Sequence, residues 1–388
     1  MENLHRLPRN TDAPATDRFQ GTPYRMLRRL ASGATGEVFV VEHRQLGTEF
    51  VAKLLHPQLL IDPQVVDRVR IEAQSLGTLY HPNIVAVLGY GLTPDHCPYL
   101  VTEYLRGRTL TQELAASGPL PPLDALVYTC QVLWALTAAH AIGIIHRDIK
   151  PDNLFLVDQP NAAPLLKVLD FGIARVVPGI SPQAPLPLAV PTDTGVVLGT
   201  PRYMSPEVAL GSHADPRSDI YGVGMVLYQM LTGRCPFDHA KDNTWMLVAH
   251  ITEQPKPPSH YASSNIGPDL DAAVLKALQT NPEDRYQSAK EFEAALSAIA
   301  DDFLNSHDVA DTVDAAPLGA SPLKEADTAP IVFTSSDATQ PLPLIHASSR
   351  AQHAPWSNHR AILLFVLVAL ATAIVVARIG LHGGLGAR

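Results

Sequence analysis

Within the run His146-Arg147-Asp148-Ile149-Lys150-Pro151-Asp152-Asn153 the chain places a carboxylate, an ammonium group and an amide oxygen inside six residues. That set suits phosphoryl transfer, in which positioning and charge compensation carry most of the rate and little covalent work falls to the protein. Asp148 would accept the proton of an attacking hydroxyl, Lys150 would face the transferred phosphoryl group, and Asn153 would offer an oxygen to Mg²⁺. A charged surface turn can have the same composition, so the elements around the run decide between the two.

Those elements read as two unequal parts. From Met26 to Leu55 apolar and polar residues alternate around a glycine turn, as in paired strands. Leu59 to Leu79 has helical spacing with Pro63 suited to a first turn, and His81-Pro82-Asn83 breaks it before a strand-like Ile84 to Leu88. A further strand pattern covers Tyr99 to Tyr104. Pro122 to Ile142, Asp219 to Leu231 and Asp269 to Ala300 then read as helical. The expected fold class is α+β, a small β-rich lobe followed by a larger α-helical lobe, with residues 1–23 as a flexible N-terminal arm.

Further motifs follow in a fixed order. Asp170-Phe171-Gly172 comes one short hairpin after the first run, behind the strand-like Leu166 to Leu169. Leu30-Ala31-Ser32-Gly33-Ala34-Thr35-Gly36-Glu37-Val38 is a loop of small residues whose backbone N–H groups could approach phosphates closely. Val51-Ala52-Lys53 lies on the next strand, and Gly199-Thr200-Pro201-Arg202-Tyr203-Met204-Ser205-Pro206-Glu207 comes later. Taken together, from about Tyr24 to Ala300, these resemble the eukaryotic-like Ser/Thr protein kinase family, which implies a bilobal kinase fold over residues 24–300.

The resemblance implies roles at matching positions. Lys53 would hold the α and β phosphates of ATP, and an ion pair to Glu72 would orient it. Leu30, Gly33, Gly36 and Val38 would cover the nucleotide, Ala52 and Phe155 would sandwich adenine with Val38, and the backbone from Glu103 to Leu105 would bond the base beside Thr102. Asp170 and Asn153 would be the Mg²⁺ ligands. Glu207 would pair with Arg285, and Asp219 would accept N–H bonds from the catalytic loop. Ala31 stands where the family has its first loop glycine, and Ser205 where it usually has alanine. Between Asp170 and Glu207 the segment is long and proline-rich; Thr192 and Thr194 are the candidate autophosphorylation sites, with an inert surface pair as the alternative.

Composition narrows the rest. The formal net charge of −9 disfavours nucleic-acid binding as the main activity. Cys97, Cys130 and Cys235 are odd in number and far apart, which suggests neither a disulfide framework nor a zinc site. Twenty-one arginines against eight lysines, with abundant alanine and proline, hint at a GC-rich, bacterial genome. The N-terminus carries charges and no apolar run, so no secretory signal is expected.

Residues 301–358, rich in Ala, Asp, Ser, Thr and Pro, read as a disordered linker with a reach of roughly 40–45 Å. Ala361 to Ala377 is free of charge between Arg360 and Arg378. At ~1.5 Å per residue it covers roughly 26 Å, and with snorkelling arginines it reads as one transmembrane helix within 361–381; a buried core helix is the alternative. Residues 382–388 would be a short distal tail. The expectation is a single-pass, membrane-tethered Ser/Thr kinase with its catalytic part in the cytoplasm, using ATP and Mg²⁺ on protein substrates, with a homodimer as the candidate arrangement for trans-autophosphorylation. A pseudokinase scaffold that binds nucleotide without transfer is the alternative.

Overall fold

The computed structural model describes residues 17–33, 36–57, 63–159, 163–171, 201–262 and 266–308. The expected linker beyond residue 308, the expected transmembrane segment, Gly172, Thr192, Thr194, Gly199 and Thr200 lie outside them.

The first lobe is a five-stranded antiparallel sheet with one helix against it. Its elements are β1 (Tyr24–Ser32), β2 (Gly36–His43), β3 (Glu49–Leu55), α1 (Pro63–Gly77), β4 (Val87–Leu92) and β5 (Pro98–Glu103), and the strand order is β1-β2-β3-β5-β4. Strand alternation divides β3 between two faces. Phe50, Ala52 and Leu54 enter an outer core with Phe39, Tyr99 and Val101, whereas Val51 and Lys53 are half-buried on the opposite face.

That outer core is closed by residues ahead of β1. Phe19 is 0% exposed and meets Phe39 and Tyr99 edge-on at 5.7 and 5.4 Å. The Asp17 carboxylate accepts from the Phe19 and Met26 amides and from Arg44. The flexible arm expected through residue 23 is therefore packed from Asp17 onward, because a fully buried aromatic ring anchors it.

The second lobe contains β6 (Gly107–Thr109), α2 (Leu110–Ser117), α3 (Pro122–Ala141), β7 (Leu154–Val157), β8 (Leu165–Val168), α4 (Pro206–Ala209), α5 (Pro216–Thr232), α6 (Asn243–Thr252), α7 (Pro268–Ala277) and α8 (Ala289–Asp308). Strands β6, β7 and β8 form a small sheet. Helix α5 is buried on nearly every side and runs through the centre of the lobe. Asp215 caps its start in a capping box with Ser218, and Gly233 ends it in the left-handed region at φ 72°. A Cβ at Gly222 would lie 3.1 Å from the Ile149 side chain, so glycine lets the α5 backbone pass directly beneath the His146–Asn153 run.

Three boundaries differ from the sequence reading. The apolar stretch Ile84-Val85 bridges to the second lobe, with the Val85 amide donating to the Val168 carbonyl and Asn83 donating to Gln131 and Leu166, so β4 starts at Val87. Asp269 to Ala300 is broken by a 3-10 turn at Pro282–Asp284, whose Asn281 side chain accepts the Glu283 amide. Helix α8 continues to Asp308, past the expected linker start at 301, because Phe303 still packs on the core.

Candidate active site

The loop after α3 is held from below by one buried acid. Asp219 on α5 accepts the amides of His146 and Arg147 at 2.8 and 2.7 Å and the His140 ring at 2.8 Å. Burial pushes its pKa up, but the hydrogen bond and charge of His140 and the His146 contacts outweigh it and leave the carboxyl below its ordinary value. Arg147 takes φ 65°, an uncommon conformation for a non-glycine residue that these bonds sustain. The buried His146 ring bonds the Leu169 carbonyl and meets Phe171 at 4.8 Å, so the two motif loops are joined at their bases.

Asp148, Lys150 and Asn153 converge above this base. Lys150 Nζ lies 2.8 Å from Asp148 Oδ2, and Asn153 Nδ2 donates to the same oxygen at 3.0 Å and to the Asp148 carbonyl at 2.8 Å. Using its amide nitrogen in this way directs the remaining acceptor of Asn153, Oδ1, to another ligand. The Asn153 carbonyl accepts the Leu169 amide at 2.8 Å, which sets Asp170 beside it. Asp170 has φ 50° and pairs across the cleft with Lys53 at 2.9 Å, while Phe171 is buried.

Glu72 is not brought to Lys53. No ion pair joins them among the described residues; Glu72 Oε2 is buried without a hydrogen-bond partner. Burial pushes its pKa from 4.5 up to about 7, and the Arg147 charge only partly opposes this. The folded protein therefore holds an extra proton between those two values, and stability is lost as pH rises through that window. Glu72→Gln should flatten this slope in thermal melts and, at about pH 8, melt no lower than the parent. A clearly lower Tm there would show that the carboxylate has a stabilising partner.

The nucleotide-side residues divide. The Gly33 amide bonds the Gly36 carbonyl at 2.9 Å, and a Cβ on Gly36 would lie 2.2 Å from the Leu54 carbonyl oxygen, which excludes any other residue there. Leu30 is 43% exposed at the loop edge. Val38 and Lys53 are register partners and share the cleft face; Val51 shares it too, opposite Thr102. Ala52 does not: it is 0% exposed in the outer core. Ala52 therefore does not line the cleft and Val51 takes that position, a correction that strand parity with Lys53 already contained. Phe155 is half-buried on β7. The Glu103 carboxylate binds Lys167 Nζ at 2.7 Å and the Ala86 amide at 2.8 Å, tying the strand end to the second lobe, and Leu105 follows it half-exposed. His140 and His146, which carry much of the scaffold, were not singled out in sequence; a histidine inside an apolar helix was the one signal for the first.

Farther out, Arg285 is 0% exposed and forks onto Glu207 at 2.7 and 3.0 Å. Ser218 also donates to Glu207.

Residues 24–297 match the family model described as protein kinase domain. The chain is 38% identical over 334 residues to serine/threonine-protein kinase Pkn1 of Myxococcus xanthus, covering 86% of this chain and 45% of that protein. It is 35% identical over 369 residues to serine/threonine-protein kinase PknB of Mycolicibacterium smegmatis, covering 93% and 55% respectively. The chain thus spans about half the length of the curated relatives it matches. Among solved structures, the kinase domain of PknI from Mycobacterium tuberculosis superposes with a TM-score of 0.55 at 27% identity, over 72% of this chain and 96% of that one.

Proposed function

The chain belongs to the protein kinase family, among its bacterial Ser/Thr members, and on that premise we propose that it transfers the γ-phosphoryl group of ATP to Ser and Thr hydroxyls of proteins. The observation that carries this reading is the convergence of Asp148, Lys150 and Asn153 with the Lys53–Asp170 pair across one cleft.

Asp148 orients the attacking hydroxyl and receives its proton as the new O–P bond forms and the bond from the γ-phosphorus to the bridging oxygen breaks, releasing ADP. Lys150, already against Asp148, offsets charge on the transferring group. Lys53 exchanges its bond to Asp170 for the α and β phosphates, and Glu72 would then be free to orient the amine. Val38 and Val51 on the sheet and Phe155 on β7 would enclose adenine. The donors fit a hard divalent cation: the Oδ1 of Asn153 is left for a ligand and Asp170 supplies a carboxylate. Mg²⁺ bound there would neutralise phosphate charge.

The polar linker and the uncharged run from Ala361 to Ala377 support a single-pass tether that leaves the kinase lobes in the cytoplasm. Confinement to a surface raises effective concentration and favours trans-autophosphorylation between copies, with Thr192 and Thr194 as acceptors. Release of the intact chain from membranes by alkaline carbonate would overturn the tether.

Incubating the full chain with Mg·ATP and mapping phosphosites by mass spectrometry tests the transfer reading. Phosphate on Ser or Thr is the expected result. Tight ATP binding with no transfer to the chain or to a general protein substrate would favour a nucleotide-binding scaffold.

A further inference from the structure

The wall beside Asp148 on which an acceptor polypeptide would lie is the stretch Pro201 to Glu207, and its two ends are held differently. The Glu207 end is gripped by Arg285. That guanidinium also lies 4.9 Å over the Tyr221 ring of α5. Tyr221 in turn places its hydroxyl 2.7 Å from Nδ1 of His250 on α6. His250 is 1% exposed, and its ring meets Phe237 at 4.9 Å. Its second nitrogen, Nε2, is buried without a hydrogen-bond partner, and α6 packs against the turn Pro201–Tyr203, which brings the main-chain carbonyls of Pro201 and Arg202 beside the ring.

The chemistry settles which nitrogen carries the proton. Burial pushes the His250 pKa down to about 4, so the ring is neutral near neutral pH. Burial likewise pushes the Tyr221 phenol well up, so it keeps its proton, and we assign that proton to the bond with Nδ1, the ring atom within reach. With that assignment the imidazole hydrogen sits on Nε2, on the side of the 201–202 main chain. A buried donor left short of its acceptors is costly, and the cost is relieved if the main chain at 201–202 moves onto it.

We propose that His250 is a positioning residue for the protein substrate: its Nε2–H hydrogen bond to the 201–202 main chain closes when an acceptor polypeptide engages the cleft. Tyr221 is the shared ring through which the two anchors of the wall, Arg285 and His250, support each other. The proposal rests on the Ser/Thr kinase reading and adds a residue that touches neither nucleotide nor hydroxyl.

The test uses the full 388-residue chain and one serine peptide, chosen from an arrayed library because the parent protein phosphorylates it. His250→Phe keeps the ring and removes both nitrogens; His250→Gln restores an N–H donor at the outer position. His250→Phe should raise the peptide KM about tenfold, with ATP KM and Mg·ATP affinity changed less than about twofold, and His250→Gln should recover most of the loss. Tyr221→Phe, which frees the ring to hold its hydrogen on either nitrogen, should raise peptide KM about threefold. An unchanged peptide KM in His250→Phe, or equal rises in peptide and ATP KM, overturns the proposal. Should His250→Phe fail to fold, His250→Gln and Tyr221→Phe decide: parental peptide KM for Gln with a raised value for Tyr221→Phe supports it, and parental values for both overturn it. If the parent protein phosphorylates no peptide at all, the kinase reading itself fails and this inference falls with it.

Discussion

Asp148→Asn should lower kcat for phosphoryl transfer by about two to four orders of magnitude while leaving Mg·ATP affinity within about twofold. The substitution preserves shape and an acceptor oxygen, so Lys150 and Asn153 keep a partner at 2.8 and 3.0 Å and the loop held by Asp219 has no reason to move. What is lost is the carboxylate that receives the hydroxyl proton, along with the negative charge that orients it. Rapid-quench measurement of γ-phosphoryl transfer, with nucleotide affinity from calorimetry, separates these effects. A variant retaining more than about a tenth of the parental kcat would remove Asp148 from the chemistry.

Arg285→Met should cost about 3–5 kcal/mol of unfolding free energy, a larger loss than any exposed ion pair could cause. Arg285 has no exposed side-chain surface and donates to both Glu207 oxygens and to the carbonyls of Gln279, Thr280 and Arg217, so its removal strands a carboxylate and three main-chain acceptors. Pairing it with Glu207→Met should recover part of the loss, because two apolar neighbours are tolerated where one unpaired ion is not. Denaturant melts of the single and double variants measure the coupling; strict additivity would contradict it.

The same pair imposes a pH dependence. Burial raises the pKa of Glu207, but the Arg285 bonds and charge and the Ser218 hydroxyl outweigh it and hold the group below its ordinary value. The folded state therefore binds fewer protons there than the unfolded one. Its contribution is present in full above the unfolded value near 4.5 and is lost as pH falls through the depressed folded value. Asp219 acts in the same direction. Arg285→Met should consequently show a shallower loss of stability on acidification than the parent.

Much of this could be read along the chain, because the groups proposed to act on phosphate sit in short local runs. Asp148, Lys150 and Asn153 are spaced so that one tight loop presents all of them, and Asp170 needs only a hairpin to reach them. The helices α3 and α5 announced themselves by the patterns from Pro122 to Ile142 and from Asp219 to Leu231, although α5 itself begins at Pro216. Boundaries set by distant partners were less legible. Phe19 looked like part of a polar arm until Phe39 and Tyr99 surrounded it, and Ile84 looked like sheet continuation until β8 claimed it.

The sequence by itself determined the family and the order of its motifs, since residue identities and local spacing are chemical facts that no packing alters. Tertiary structure alone decided that Lys53 rests on Asp170 and not on Glu72, and that His140 and His146 hold the loops. Each of these turns on which face of an element a side chain leaves and what a remote segment places opposite it. Burial then sets the charge a group can keep, and burial belongs to the assembled fold.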